Sequence, residues 1–224
     1  MGFHQREQAY SIVQLKEYMP EYSNHMVYVQ NRTASELRHS LYQVITESKA
    51  LMYLRDFPID RDELIQAAAE EGEKTAFKLS RLLEFQKILE NLKNLRDHEP
   101  EKRWQAQYDL MLAQTVAFQV MAFEYRALMA QLVLKPRKPS KQPTADMSIT
   151  FVVDHAQQPL APKNLTARKY AEAKRLLEDV IAKHAKTPWA DLAQDALNRG
   201  LSVELNEWRH NPKYDERSQF VPKF

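Results

Sequence analysis

Between Glu101 and Leu134, apolar residues recur at alternating intervals of four and three: Trp104, Tyr108, Met111, Phe118, Ala122, Tyr125, Met129 and Leu132, with Thr115 in register. That spacing gathers them on one side of an α-helix. Leu110, Leu112, Val116, Val120, Met121, Phe123 and Leu128 fill the flanks. A helix apolar on most of its sides must be wrapped by other elements. The segment therefore reads as the central helix of an α-helical domain.

The pattern before it predicts more helices. Residues 4–19 form a first one, ended by Pro20, and Glu21 to Arg32 shows no clean period and reads as a connection. Thr33 or Ser35 is placed to cap a helix to about Arg55, with Leu37, Leu41, Val44, Ile45, Leu51 and Met52 as its apolar stripe. Phe57-Pro58 breaks it, because the residue before proline avoids helical geometry. Asp60 then caps a long helix to about Arg96, with Glu63 as its capping-box partner. Ile65, Ala68, Gly72, Ala76, Leu79 and Leu83 make one stripe, which Leu82, Phe85, Leu89 and Leu92 continue. The turn at Asp97 to Pro100 sends the central helix back antiparallel. The expected register sets Gly72 and Ala76 level with Val120 to Glu124, leaving room for Phe118 and Phe123, with coiled-coil-like packing near a +20° crossing.

After Leu134 the pattern changes. Lys135 to Pro143 carries three prolines and no apolar anchor, which predicts a semi-rigid exposed linker. Ser148 to Asp154 alternates, with Ile149, Phe151 and Val153 on one face of a strand. Gln157 to Lys163 is a proline-marked loop. Leu165 to His184 is an amphipathic helix using Tyr170, Ala173, Leu177, Val180 and Ile181. Thr187 caps a further helix with Pro188 at its first position and Asp191 in its first turn, and Gly200 stops it. Leu201, Val203 and Leu205 alternate as a second strand, whose pairing with the first must lean on helices.

The expected fold is mainly α: a long antiparallel helical hairpin within a bundle, a C-terminal helix pair and a small two-stranded β ribbon. The expected division is a bundle over 1–134, a basic linker over 135–147, a strand–helix–helix–strand unit over 148–210 and a tail over 211–224.

Composition narrows the chemistry. The net charge is only +2, with residues 1–134 at −3 and residues 135–224 at +5, so there is no global drive toward nucleic acid. The absence of cysteine excludes disulfides, thiolate metal sites and cysteine nucleophiles. No stretch reaches the roughly 20 apolar residues that span a bilayer. With no visible signal peptide, these features favour a soluble, cytoplasmic chain, either whole or cut from a longer protein.

Tyr170-Ala171-Glu172-Ala173, then Leu176, Leu177, Val180 and Ile181, then Pro188-Trp189-Ala190, resembles one tetratricopeptide repeat, over residues 167–200. A single unit cannot stand alone as a repeat array, so the resemblance implies a hairpin leaning on the long helices. Arg103 to Leu110 and Thr187 to Gln194 resemble motifs in the C-terminal region of uncharacterised planctomycete proteins containing a von Willebrand factor A domain. That likeness spans roughly residues 100–205. The family's Pro-Gly before the Thr-Pro-Trp is replaced here by Ala185-Lys186, and the A domain's metal signature, Asp-x-Ser-x-Ser, is absent. The resemblance implies a companion module of a larger bacterial protein, without the metal function.

Candidate chemistry is sparse. Glu36-x-x-His39 and Glu207-x-x-His210 have the spacing of di-iron bundles, but His39 faces away from its helix's apolar stripe and His210 adjoins Pro212. Solvated side chains are the preferred reading, with a metal at Glu36 and His39 as the alternative. Glu124 and Arg126 are expected at the surface of the central helix or paired to its neighbour, with a buried ion pair or a site acid as the alternative. Asp154-His155, with Asp191 or His210, suggests acid–base chemistry, against which stands the absence of a nucleophile motif. Trp104, Tyr108 and Trp189 read as core anchors on apolar stripes. Lys135, Arg137, Lys138 and Lys141 are candidates for interaction, as is Trp189.

The preferred function is a non-enzymatic helical scaffold or interaction module that needs no cofactor and whose partner is another protein or another domain of a longer chain. An enzyme built in the bundle, metal-dependent or acting on a small molecule, is the alternative. Weak binding of nucleic acid or a membrane surface through the basic linker is a third reading, nucleic acid being disfavoured by the lack of interleaved aromatics.

Overall fold

Lys102–Leu134 forms one unbroken helix, as the spacing predicts, and Thr115 is buried in register with its apolar neighbours. The structure is a computed structural model that describes residues 15–19, 24–48, 53, 55–160 and 163–211, the side chains of 163–165 excepted. In chain order, a 3-10 turn at Lys16–Tyr18 precedes α1 (His25–Ala34), α2 (Glu36–Ser48), β1 (Asp56–Phe57), α3 (Arg61–Asn91), α4 (Lys93–His98) and α5 (Lys102–Leu134). Then come β2 (Ser148–Ala156), α6 (Lys163–Lys183), α7 (Pro188–Arg199) and β3 (Ser202–His210). The protein is mainly helical, with a small antiparallel sheet in the order β1-β2-β3.

Local chemistry accounts for the boundaries. Asp60 Oδ1 accepts from the backbone N–H groups of Asp62 at 3.0 Å and Glu63 at 3.1 Å, satisfying two donors that α3 leaves open. Of the two proposed caps for α2, Ser35 serves, its Oγ 3.4 Å from the N–H of Arg38. Thr33 lies inside α1 and donates back to Val29. Thr187 Oγ1 accepts from Ala190 N–H at 3.4 Å and donates to His184 O at 2.5 Å, closing the turn between α6 and α7. Gly200 follows α7 with φ +91°.

Two compact units result. The helical unit takes residues up to 51, 81–119 and 167–199; the sheet-bearing unit takes 52–80, 120–166 and 200 onward. In the helical unit, α2 buries Leu37, Leu41 and Val44, α3 buries Leu82, Phe85 and Leu89, α6 buries Ala173, Leu177 and Val180, and α7 buries Ala190 and Ala193. Arg38 secures the turn before α5 with ion pairs at 2.8 Å to both Glu99 and Glu101. Buried Gln119 donates to Leu82 O at 3.1 Å and to Gln86 Oε1 at 2.8 Å, tying α5 to α3. In the sheet-bearing unit, Phe151, Val153, Val203 and Leu205 of the inner sheet face pack on Leu64, Ala68, Tyr125, Leu128, Met129 and Leu132.

Several expectations need correction. The ribbon has a third strand: Asp56 and Phe57 pair with Val152 and Phe151, and Arg55 O accepts from Val153 N–H at 2.8 Å. Two residues are too few to show an alternating pattern, and Pro58 ends the pairing, so the sequence discloses only a break. Arg55 is therefore outside any helix; residues 49–52, with Leu51 and Met52 of the expected stripe, lie outside the described residues, as does most of 4–19 and all of 212–224. The expected connection before Arg32 is helical from His25, capped by Asn24 Oδ1 on Val27 N–H at 3.0 Å. Helix α1 buries none of its residues, so no apolar period marks it.

The hairpin register also differs. Gly72 lies against Met129, 3.8 Å from where a Cβ at Gly72 would sit to Met129 Cβ, more than a helical turn beyond the expected Val120 to Glu124. The buried stripe of α3 is Leu64, Ala68, Glu71, Thr75, Leu79 and Leu82, whereas Ala76 and Leu83 are exposed. Phe118 is 41% exposed, so no space is reserved for it. Polar residues at the true core positions disguised the stripe.

Candidate functional site

Lys135 N–H donates to Gln131 O at 2.7 Å in the closing turn of α5, and Pro136 then forbids further helix. Arg137 turns its guanidinium onto Leu205 O of β3 and stands 5.8 Å from the Phe151 ring centroid. Ser140 donates its N–H to Glu207 Oε2 at 2.7 Å and its hydroxyl to Glu207 Oε1 at 2.9 Å. The backbone hydrogen bond from Ser140, then that from its hydroxyl, then Arg209 at 2.9 Å hold the Glu207 carboxyl at about 2, below the usual 4.5. The proline-rich segment is exposed, as expected, but is strapped to β3 at two points.

This strapping builds a groove of about 840 Å³ in the sheet-bearing unit, between the end of α5, the segment from Lys135 to Lys138, Arg61 of α3, Leu160 and β3. Leu128, Leu132 and Leu205 form its buried floor, and Leu134, 85% exposed, stands on its rim. Among the described residues, Arg61, Lys135, Arg137 and Lys138 line it against a single acid, Glu204. Arg61 pairs with Asp62 at 2.8 Å. Among the described residues, neither Lys135 nor Lys138 has a carboxylate within ion-pair distance. An apolar concavity with a few convergent polar groups, in this size range, is the ordinary form of a binding site.

One wall of the groove depends on Glu124. The sequence places this residue at the surface or paired to a neighbouring helix; it is instead fully buried and accepts from Leu160 N–H at 2.5 Å and Ser202 Oγ at 3.0 Å. A carboxyl inside a core is tolerated when hydrogen-bonded, and here its donors come from a loop and a strand far away in sequence. Arg126 is exposed, as expected. A second buried acid, Glu71, pairs with Lys74 at 2.9 Å and Lys78 at 3.7 Å. Burial, with Glu71 and Tyr53 adding to it, raises the Tyr125 hydroxyl well above its usual 10.0. Tyr53 lies 4.9 Å from Tyr125, ring to ring, with Lys78 Nζ 4.8 Å above the Tyr53 ring.

The helical unit holds a second polar cluster. His184 Nε2 meets Asp109 Oδ2 at 2.9 Å, and His184 Nδ1 meets the Tyr18 hydroxyl at 3.1 Å. A carboxylate only accepts, so the Nε2–H points to Asp109, while Nδ1 shares a hydrogen bond with the Tyr18 hydroxyl. Arg96 Nε donates to Asp109 Oδ1 at 2.9 Å. Burial pushes the Asp109 carboxyl up, but hydrogen bonds from His184 and Arg96 outweigh it and hold the group below its usual value. Both nitrogens of the buried imidazole are engaged, so the trio acts as a clamp. Its signal was present in the sequence: His184 continues the Ala173, Leu177, Val180 spacing by one more step.

The remaining candidates do not converge. Glu36 is exposed and His39 half-buried in α2, and no group of three or more His, Cys, Asp or Glu fit to hold a metal ion occurs among the described residues. Glu207 and His210 lie on a strand, where a separation of three puts them on opposite faces, so the helical spacing argument fails. Asp154 pairs with Arg55 at 2.6 Å and sits opposite Glu204, whereas His210 sits opposite Ser148 at the other end of the sheet. Asp191 is in the first turn of α7, in the helical unit. Trp104 and Tyr108 are buried, and the Tyr108 hydroxyl donates to Leu89 O at 2.7 Å. Trp189 is half-buried, donates to Gln107 Oε1 at 3.1 Å and lies 5.6 Å from the Tyr18 ring, so its indole is already engaged within its own unit. Lys141 is exposed and does not line the groove.

Comparison with protein families, curated proteins and solved structures finds no match to this chain. Among the described residues, no helix is long and apolar enough to cross a membrane.

Proposed function

We propose that this chain is a non-enzymatic protein-interaction module whose binding surface is the groove of the sheet-bearing unit. The observation that carries the reading is the meeting of a leucine floor with three sequence-flagged cations, Lys135, Arg137 and Lys138, in one concavity. Buried polar groups elsewhere serve the fold: Glu124 holds Leu160 and Ser202, and Asp109 holds His184 and Arg96. The same reading makes α6 and α7 a single tetratricopeptide-like hairpin and the chain an accessory region of a larger bacterial protein, in keeping with the motif resemblances.

The test is a phage-displayed peptide library panned on the intact chain and, in parallel, on Leu134→Asp. Leu134 is exposed on the groove's rim, so this substitution changes the surface without opening the core. The reading expects peptides enriched on the native chain and lost on the variant. Peptides retained by the variant, or no enrichment at all, contradict it.

A further inference from the structure

Resting on the reading of the groove as a peptide site, we propose that its occupant is an acidic segment of a partner protein whose carboxylates flank apolar side chains. Leu134 sets the apolar requirement: it stands 85% exposed above the buried Leu128, Leu132 and Leu205, and a fully hydrophilic ligand would leave it wet. The rim sets the charge requirement. Among the described residues four cationic side chains face one acid; Arg137 is already spent on Leu205 O and Arg61 on Asp62, which leaves Lys135 and Lys138 to receive an anion.

The other anionic macromolecules fit less well. Among the described residues no aromatic side chain lines the groove, so a nucleic acid finds cations there but no ring on which to stack its bases. A bilayer presents a broad surface of headgroups, which does not enter a concavity whose apolar part is its floor. A peptide fills both requirements because apolar and acidic side chains alternate at side-chain spacing. The rim pairs form in solvent, so they set selectivity and rate of encounter and weaken as salt rises.

Three labelled peptides of one length test this, with leucine alternating with Glu, Gln or Lys, titrated by fluorescence anisotropy into the full chain. The Glu peptide is expected to bind most tightly. Lys135→Glu combined with Lys138→Glu, both exposed positions, should weaken it about tenfold, and a rise to high salt should do the same. Lys141→Glu, outside the groove, should change nothing; matching melting curves establish that each variant is folded. Equal binding of the Glu and Gln peptides overturns the acidic choice while leaving the groove as a peptide site. Binding of none of the three overturns both. Equal loss in the Lys141 variant, or a single-stranded oligonucleotide that binds more tightly than the Glu peptide, also overturns the proposal.

Discussion

Ser202 Oγ donates a 3.0 Å hydrogen bond to Glu124 Oε2, joining the first residue of β3 to the middle of α5. The same oxygen receives the Leu160 N–H, so one buried carboxyl fixes a loop and a strand. Glu124→Ala removes the acceptor and strands both donors, at a cost of about 3 kcal/mol. Ser202→Ala removes one donor only and should cost about 1 kcal/mol. Urea denaturation checks both as a lower midpoint with unchanged slope.

His184 and Asp109 make the comparable clamp of the helical unit. Asp109→Asn leaves Arg96 with Asp97 as its carboxylate partner and should cost about 1.5–3 kcal/mol, the usual worth of hydrogen bonds to a charged group. The Asp109 carboxyl sits below its ordinary value of 3.8 in the folded chain. Its contribution is therefore complete above that pH and is lost as pH falls through the folded value. Acid titration of stability should be shallower in the Asn variant than in the native chain; parallel curves would show that the group does not contribute.

Tyr108 predicts the opposite limb. Burial, with Asp109 and Asp97 nearby, raises its hydroxyl from 10.0 to about 12. The folded state favours the protonated phenol, so this stabilisation is full below pH 10 and declines between there and about 12. Tyr108→Phe should lose about 1 kcal/mol at neutral pH with the Leu89 hydrogen bond, yet fall less steeply in alkali. Stability measured against pH for both proteins decides it.

Three backbone positions give signed predictions. A Cβ at Gly200, where φ is +91°, would stand 2.2 Å from Ala156 O, so Gly200→Ala should destabilise by more than about 2 kcal/mol. A Cβ at Gly72 would meet only Met129 Cβ at 3.8 Å, so Gly72→Ala should stabilise by about 0.5–1 kcal/mol through helix propensity. Lys186 has φ 59°, a conformation that glycine adopts without strain. Lys186→Gly should stabilise by up to about 1 kcal/mol, which differential scanning calorimetry would register as a higher melting temperature.

What the sequence disclosed followed from which residues are apolar. The unbroken α5, the strands at Ile149 to Val153 and Val203 to Leu205, and the caps at Asp60 and Thr187 all rest on local spacing or on neighbours within three positions. What it concealed follows from distance and polarity. Glu71 and Thr75 occupy core positions of α3 and so shifted the apparent stripe, and with it the hairpin register, away from the observed one. Glu124 finds its partners 36 and 78 residues away, and His184 finds Asp109 75 residues away, separations that no local pattern encodes. The groove was half legible: Lys135, Arg137 and Lys138 stood out as a basic run, but Arg61 and the leucine floor join them only through the fold.

The most direct measurement is a methyl NMR spectrum of the leucine-labelled full chain, recorded as the alternating Leu–Glu peptide is added. The account predicts progressive shifts at Leu132, Leu134, Leu160 and Leu205, with the leucines of the helical unit, such as Leu41 and Leu177, unmoved. Shifts centred on the helical unit, or none at saturating peptide, would contradict it.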